Sequence, residues 1–532
     1  MINNNGNRRI NKSSYSVFVA LLMILFVLRG LILLCVYPPL EGIDEHKHLG
    51  YLAFVSDTKS IPVYGQSVVP AFLYKDLRNN PHSHYGASEL TSIGALDYAH
   101  FWSASHLKEP LAATNRLPVK AAFHPPGYYF LIAPLFQWSS IQLGFRATIY
   151  LLRIINLLFA SCALGFFLMA LRPFCDGSTI GYLIALAVSL LPMFLVYICR
   201  VSNDALSMVI IGFVFYLLSR SQQQKYFLPF SLLLGACMGL GIWIRVSIIP
   251  FIPVALVFFV WLLISRQIHW RYVLVGIYGF LSITVVISYG IFAWNSGHYH
   301  TLFPSQEIFR MGSHSLGPWN GSLIGRLIGE LLIQKILVAN LWTSGWSFLH
   351  LPAPLYVIYG LFLAFFGFCL VEFIFRSRKQ ASAVEWNLPL LCLLTFAFVC
   401  FGALMHALQS VRANAGIIST PSYYALPGYL PFLGMALFSM NRKNLLIQYT
   451  LIMALIALFL AAEWSGTFLI GVPFWTQTTS LPEAFGRLQS IHPAFPAPKW
   501  IPLFVVLYGG VGWAIGRLIF KEKVKTLQSR SI

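Results

Sequence analysis

Twelve apolar stretches recur along the 532-residue chain, and most are long enough to cross a bilayer as a helix. In hydrocarbon every backbone polar group must bond within the protein, so such stretches form helices. The sequence therefore predicts an all-α, polytopic transmembrane helical bundle of about 12 spans (11–13). The composition, 58% hydrophobic and 10% charged, agrees with this class. The predicted spans are 16–37, 149–171, 180–199, 205–218, 227–244, 249–264, 273–294, 354–375, 388–408, 423–440, 445–462 and 501–520.

Basic residues set the predicted orientation. Arg8, Arg9 and Lys12 precede the first span, which is long enough to cross and is followed by no small-residue cleavage site. We therefore expect a retained signal anchor. Every short loop on that same side carries Lys or Arg, as cytoplasmic loops do. The sequence predicts cytoplasmic tails at 1–15 and 521–532 and one integral-membrane domain at 16–520.

The other face receives the long loops, predicted at 38–146, 295–351, 409–422 and 463–500. Eight of the seventeen acidic residues fall in the first of these loops, so we expect the chemistry to face outward. The predicted setting is a multi-pass protein of the bacterial cytoplasmic (inner) membrane, with its active site facing the periplasm or exterior. Two further apolar stretches, 127–143 and 323–341, are interpreted as re-entrant or interfacial juxtamembrane helices. The alternative is that either one spans.

Charge and cysteine usage exclude several classes. The formal net charge is +19, yet the basic residues sit mostly at span ends, where they anchor topology and contact membrane lipid. No nucleic-acid partner is expected. The eight cysteines lie in or beside apolar segments without a CxxC pair, so neither a disulfide framework nor a zinc site is indicated.

An acidic cluster follows the first span directly. Asp44 and Glu45 come after the Pro38-Pro39 turn, and His48 lies one helical turn beyond Asp44. Charge at a membrane exit is costly and usually functional. We predict that Asp44 and Glu45 are catalytic residues and that His48 binds the substrate. Asp44 and His48 could also bind a divalent cation, although no cofactor is required. The structural alternative is that both carboxylates only favour a helix N-terminus.

Further outer residues suit a phosphate or sugar. His124 is held between Phe123 and two prolines, whereas Tyr128 and Tyr129 fit an ordinary aromatic belt. Arg200, Asn203 and Asp204 occupy a tight hairpin in which Arg200 and Asp204 could simply pair and cap. Arg245 has no acidic neighbour in sequence. Guanidinium grips phosphate bidentately, so Arg245 and Arg412 could bind a substrate phosphate or snorkel to ordinary lipid headgroups.

These motifs together resemble the GT-C superfamily of integral-membrane glycosyltransferases, which includes protein mannosyltransferases and aminoarabinose transferases. Asp44-Glu45-His46-Lys47-His48-Leu49-Gly50 is similar to the Asp-Glu-x-x-His-Phe-Gly stretch of the mannosyltransferases. The order of six short motifs is closer still to an uncharacterised family of bacterial predicted membrane proteins in that superfamily. They are Pro38-Pro39 through His48, His124-Pro125-Pro126, Leu152-Arg153-Ile154-Ile155-Asn156, Asn203-Asp204-Ala205-Leu206, Gly345-Trp346 through Leu351-Pro352, and Tyr424-Ala425-Leu426-Pro427.

This resemblance implies an inverting glycosyltransferase that uses a polyprenyl-phosphate-linked sugar donor. The acceptor would be a hydroxyl of a glycan, lipid or protein, deprotonated by Asp44, and Tyr424 would join the substrate-binding residues. The family tends to carry Gly-Arg-Tyr where this chain has Pro421-Ser422-Tyr423, so Arg412 or Arg245 would have to hold the phosphate instead.

A transporter or a lipid or oligosaccharide flippase is the alternative function. Transporters tend to place ionisable residues near mid-bilayer. The sequence suggests few such residues, with only Glu372 and His406 approaching the core.

Overall fold

The structure is a computed structural model that describes residues 12–103, 116–176, 178–222, 224–305, 325–344, 349–377, 383–413, 418, 420–440 and 443–528. The Gly345-Trp346 motif lies outside the described residues, and so does the side chain of Arg412, whose backbone is helical. The described part is a helical membrane protein, as predicted. It also contains one short β-ribbon, in which β1 (Thr343–Ser344) pairs antiparallel with β2 (Leu349–His350).

The described residues up to Tyr299 form fourteen α-helices. These are α1 (Lys12–Leu34), α2 (Glu45–Thr58), α3 (Phe72–Arg78), α4 (His84–Glu89), α5 (Tyr98–Ser103), α6 (Gly127–Gln142), α7 (Phe145–Ala170), α8 (Arg172–Cys175), α9 (Thr179–Ser189), α10 (Pro192–Ile198), α11 (Asp204–Arg220), α12 (Gln224–Ile244), α13 (Phe251–Ile264) and α14 (Trp270–Tyr299).

The described residues beyond Tyr299 add seven more α-helices. They are α15 (Ala353–Ser377), α16 (Ala383–Ala413), α17 (Leu426–Ser439), α18 (Leu445–Trp464), α19 (Val472–Thr476), α20 (Leu481–Ile491) and α21 (Ile501–Gln528). Wider π-helical turns occupy Leu327–Leu337 and Ser465–Gly471, and single 3₁₀ turns lie at Thr91–Ile93, Val246–Ile248, Val338–Asn340, Ser422–Ala425 and Pro498–Trp500.

Ten helices of the described chain are long and apolar enough to cross a membrane. Each coincides with one of the twelve predicted spans. The other two predicted spans form the shorter helices α11, of 17 residues, and α17, of 14 residues. At about 1.5 Å per residue these helices reach roughly 25 Å and 21 Å, below the ~30 Å hydrocarbon thickness. Twelve spans therefore stay a prediction.

The stretches predicted to be re-entrant or interfacial are also helical but are not among the ten. Residues 127–143 form α6, of 16 residues, and the described part of 323–341 forms the π-helical segment Leu327–Leu337 followed by a 3₁₀ turn. Their relation to the bilayer stays a prediction, as does the side on which each long loop lies.

The third predicted span is broken in the middle. Pro192 cannot donate a backbone hydrogen bond, and the chain turns at Leu190 between α9 and α10. Arg29 of α1 donates to the carbonyls of Ser189 (2.7 Å) and Leu190 (3.1 Å) that the break leaves free. Glu463 pairs with the same guanidinium. A buried charge pair therefore satisfies backbone groups that lipid could not.

The charged residues buried among the helices correct two expectations from the sequence. Charged residues within the spans are more frequent than the sequence suggested, because Arg29 lies inside α1 and Arg153 lies inside α7. The helix predicted to end at residue 462 instead continues through Glu463 and a π-helical segment to Thr476. Glu463 was read as the start of a loop, but its charge is neutralised by Arg29, so the helix need not end there.

The first long loop folds into a helical layer with its own apolar core. α2 packs along α6, and their contact buries Leu49, Leu52, Ile132 and Phe136 together with Leu73 of α3. α6 in turn packs against the spans α7 and α12. Gly127 permits this close approach, since a Cβ there would lie 2.7 Å from the carbonyl oxygen of Trp243. The layer therefore sits on the span ends and positions the N-terminus of α2.

Cysteine labelling tests the predicted orientation. Gln66 is exposed in the first long loop, and Lys225 is exposed at the start of α12, in a short loop predicted to be cytoplasmic. In intact spheroplasts, a membrane-impermeant maleimide should label Gln66→Cys and spare Lys225→Cys until the membrane is permeabilised. Wild-type protein gives the background from native cysteines. Labelling of Lys225→Cys alone in intact spheroplasts would place the acidic loop in the cytoplasm.

Candidate functional site

A fully buried ion pair fixes the start of the acidic cluster. Arg153 of α7 donates to both oxygens of Glu45, from Nε at 2.8 Å and from Nη2 at 2.6 Å. Both side chains are 0% exposed. Arg153 also donates to the backbone carbonyls of Tyr37 (3.0 Å) and Pro38 (2.7 Å). This one guanidinium therefore holds both the end of the first span and the first turn of α2.

Glu45 has a second attachment, to the hairpin between α10 and α11. Its Oε1 accepts a hydrogen bond from the backbone amide of Val201 at 2.8 Å. Gly42 allows the loop to lie this close, because a Cβ at that position would be 2.5 Å from the Cβ of Arg200. Asn156, one turn after Arg153, donates to the carbonyls of Arg200 and Ser202 at 2.7 and 3.1 Å. α7 thus carries the residues that join the loop to the hairpin.

The hairpin residues predicted for substrate binding form one charge network. Asp204 pairs with Arg200 (2.6 Å) and with Arg245, which also donates to Oδ1 of Asn203 at 2.7 Å. The ion pair of Arg200 and Asp204 was one of the expected alternatives and is confirmed. Arg245 has no acidic neighbour in sequence, but the fold supplies Asp204 as its partner. None of the other described residues bonds Nε or Nη2 of Arg245, which leaves two donors for a ligand.

Aromatic rings enclose the two arginines. The guanidinium of Arg200 lies 4.2 Å from the ring centre of Tyr197 and 4.9 Å from that of Tyr423, and these two rings stack at 4.0 Å. Tyr424 lies 6.0 Å from the guanidinium of Arg245. The 3₁₀ turn Ser422–Ala425 therefore places Tyr424, which was predicted to bind substrate, beside the hairpin.

Asp44 is the accessible carboxylate of the cluster. Its side chain is 34% exposed, compared with 4% for Asp204 and 0% for Glu45. The residue adopts a left-handed backbone (φ 59°) at the N-cap of α2, yet its side chain makes no capping hydrogen bond and pairs with Lys47 at 2.6 Å. Asp tolerates this conformation better than most residues. Burial opposes ionisation, but Lys47 and Arg200 hold the pKa of Asp44 below its usual value.

Two histidines stack beside this carboxylate. The rings of His48 and His124 are 5.3 Å apart, and Nδ1 of His48 lies 2.6 Å from the hydroxyl of Tyr129. Burial, with Arg245 nearby, lowers the pKa of His124 to about 3. Burial and the neighbouring His124 also lower the pKa of His48. Both rings are therefore neutral near pH 7 and present hydrogen-bonding groups without charge.

The expected aromatic belt at Tyr128 and Tyr129 is wrong. Both rings are 0% exposed. The hydroxyl of Tyr128 donates to Oδ1 of Asn156 at 3.2 Å, and Tyr129 stacks on Tyr51 at 3.7 Å. The N-terminus of α6 points these rings into the cluster rather than toward lipid, because α2 packs along them.

No metal site is seen among the described residues, where no three His, Cys, Asp or Glu side chains come close enough to hold an ion. Asp44 and His48 engage Lys47 and Tyr129, respectively. The divalent-cation hypothesis stays a prediction.

Sequence reasoning missed two groups that support the site. The first is Glu89 of α4. Its carboxylate oxygens lie within ion-pair distance of His46 (3.0 Å), Lys47 (3.1 Å) and Lys120 (3.4 Å). Glu89 is far from Asp44 in sequence and stands at no recognisable spacing from it, so the pattern carried no signal.

The second missed group is Arg153. It lies within a motif on which the family resemblance rests, and an arginine eight residues inside an apolar span signals a buried partner. That signal could have assigned the residue a role. Glu45 was predicted to be catalytic, but both of its carboxylate oxygens accept hydrogen bonds from Arg153. Arg153 therefore gives Glu45 a structural role.

No protein-family model and no curated protein sequence matches the chain. Among solved structures, the chain is similar to the crystal structure of ArnT from Cupriavidus metallidurans bound to undecaprenyl phosphate. The two are 15% identical, and the alignment covers 95% of this chain and 73% of that chain with a TM-score of 0.47. The site assignment rests instead on the geometry of this chain.

A double-mutant cycle tests the anchoring pair. Glu45→Gln or Arg153→Met alone leaves a buried partner unsatisfied, which should destabilise the fold by about 3–5 kcal/mol. The double variant should cost less than the sum by about 1–3 kcal/mol, because neither charge is then left alone. Thermal unfolding in detergent gives the measurement. Glu330→Gln, which breaks an exposed pair with Arg326, is the control and should leave stability nearly unchanged, because solvent screens that pair. Additive costs would show that the pair is not coupled.

Proposed function

We propose that this protein is a membrane glycosyltransferase that takes a sugar from a polyprenyl-phosphate-linked donor. One observation carries the proposal. Four carboxylates lie near the span ends, and three of them, Glu41, Glu45 and Asp204, are almost fully buried, whereas the side chain of Asp44 is 34% exposed. Its depressed pKa keeps it ionised near neutral pH, as a general base must be. The ordered sequence motifs that resemble the GT-C superfamily support the same class.

The proposed donor phosphate lies against the hairpin. Arg245 has two donor nitrogens that no other described residue bonds, and its side chain is 10% exposed. Arg200 is engaged by Asp204 and by the carbonyl of Ile43, so we assign it to holding the Asp44 loop. In this proposal Arg245, assisted by Arg412, binds the phosphate. We assign Tyr424, His48, His124 and Asn203 to contacts with the rest of the donor.

The proposed reaction inverts the anomeric carbon. Asp44 accepts the proton of the acceptor hydroxyl, and the acceptor oxygen forms a bond to the anomeric carbon. The bond from that carbon to the phosphate oxygen breaks, and the polyprenyl phosphate leaves with the electron pair. Arg245 stabilises the negative charge that the leaving phosphate gains as this bond breaks. The acceptor is proposed to be a hydroxyl of a glycan, lipid or protein at the outer face of the bacterial inner membrane.

The buried charges do not favour the transporter alternative. Arg29 and Glu463 are 3% and 10% exposed, and Arg153 and Glu45 are 0% exposed. The arginine of each pair also donates hydrogen bonds to backbone carbonyls. A transport path requires charges that face an open route. These pairs instead hold helices together.

Asp44→Asn tests the assigned base. Asparagine also tolerates a left-handed backbone, so the fold should be retained. We expect the transfer rate to fall by about 100- to 10,000-fold with an unchanged thermal midpoint. The measurement is the initial rate of sugar transfer in detergent, normalised to folded protein. A fully active Asp44→Asn variant would remove this residue from the chemistry.

The pH profile tests the electrostatics of Asp44. Because Lys47 helps to lower the pKa of Asp44, activity should persist into the acid range and fall only as pH drops through that lowered pKa. Lys47→Met should raise the pKa, shifting the acid limb of the rate profile to higher pH by about one unit or more. Lys120→Met is the matched control, since Lys120 contacts Glu89 but forms no ion pair with Asp44. Equal shifts in both variants would contradict the assignment.

A further inference from the structure

The backbone of His124 is held at two points, whereas its ring nitrogens are unbonded. The amide of His124 donates to the carbonyl of Ala121 at 2.9 Å, and its carbonyl accepts from the hydroxyl of Tyr51 at 3.3 Å. The ring centres of Phe123 and His48 lie 4.7 and 5.3 Å from that of His124. No described residue bonds either ring nitrogen, and the residue is partly exposed. The imidazole is therefore ordered and keeps both nitrogens for a ligand.

This ring is close to both ends of the proposed reaction. The charges of Asp44 and of Arg245 both act on the imidazole. In an inverting displacement, the attacking oxygen and the leaving oxygen lie on opposite faces of the sugar ring. Asp44 is assigned to the attacking hydroxyl and Arg245 to the leaving phosphate. The proposed reaction therefore puts the sugar beside His124.

The carboxylates of this region are engaged or buried among the described residues. Glu41 and Glu45 are 0% exposed. Asp204 pairs with two arginines, and Glu89 pairs with two lysines. Asp44 is the accessible one, but it pairs with a lysine and is assigned as the base. A sugar with a positive charge would therefore meet no carboxylate that is available to neutralise it.

We propose that the donor carries a hydroxylated sugar without a free amino group, and that His124 hydrogen-bonds one of its hydroxyls. This inference rests on the proposed function. A neutral imidazole donates through one nitrogen and accepts through the other, which suits a hydroxyl. An ammonium on the sugar would instead face the positive charges of Arg245 and Lys47, both of which act on His124.

Native mass spectrometry of the delipidated full-length protein tests this preference without requiring turnover. The probes are polyprenyl-phosphate glucose, its 2-amino-2-deoxy and 4-amino-4-deoxy analogues, and bare polyprenyl phosphate, all with the same lipid chain. Near neutral pH, each amino analogue should bind about tenfold more weakly than the glucose lipid, because its ammonium is repelled by like charge. Sugar transfer from the glucose lipid is measured separately.

Substitutions at His124 sharpen the test. His124→Glu supplies the missing carboxylate, so at least one amino analogue should then bind as tightly as the glucose lipid. His124→Gln keeps an uncharged hydrogen-bonding group and should keep the wild-type preference. His298→Glu makes the same charge change at an exposed histidine of α14 and should also keep it. Thermal unfolding verifies that each variant folds.

Two results would overturn the inference. One is wild-type protein that binds an amino analogue as tightly as the glucose lipid, and the other is an unchanged preference in folded His124→Glu. The expected preference without any sugar transfer would support the inference about the sugar while contradicting the proposed enzyme. Retention of none of the polyprenyl phosphates would overturn both.

Discussion

The contact between Arg153 and Glu45 determines how the first loop meets the bundle. A guanidinium inside a span is costly unless it is paired, and here it is paired completely, with one carboxylate and two backbone carbonyls. Its partner is the first residue of α2. The position of α2 then follows, and with it the positions of Asp44, Lys47 and His48. The hairpin joins the same anchor through Val201.

A division of labour between adjacent carboxylates results from this anchor. Consecutive residues at a helix start point in different directions, so Glu45 turns into the bundle while Asp44 turns outward. The carboxylate of Glu45, which points inward, holds the structure together through its hydrogen bonds to Arg153 and Val201. The side chain of Asp44 stays 34% exposed, and the charges of Lys47 and Arg200 favour its ionised form, as a general base requires. The same holds elsewhere in the bundle: the buried charge of Arg29 is neutralised by an ion pair with Glu463.

Hydropathy predicted the helical membrane class and about twelve spans, and ten of these are helices of spanning length in the described chain, because apolar length is a local property. The sequence also located Asp44, Asp204 and Arg245 in the region where the structure brings them together. It could not show that Arg245 pairs with Asp204, since the whole of α11 and α12 lies between them, nor that Glu45 is buried by a residue of another helix. The helix that continues past Glu463 was missed for the same reason: the neutralising charge comes from Arg29, far away in sequence.

The most direct test of the proposed activity is donor consumption by the purified wild-type protein in liposomes. Radiolabelled polyprenyl-phosphate sugars would be supplied one at a time with a membrane extract as the source of acceptor. We expect one donor to be consumed, with label appearing in the acceptor and one polyprenyl phosphate released for each sugar transferred. Movement of an intact labelled donor between leaflets, with no transfer of its sugar, would contradict the account and favour a flippase.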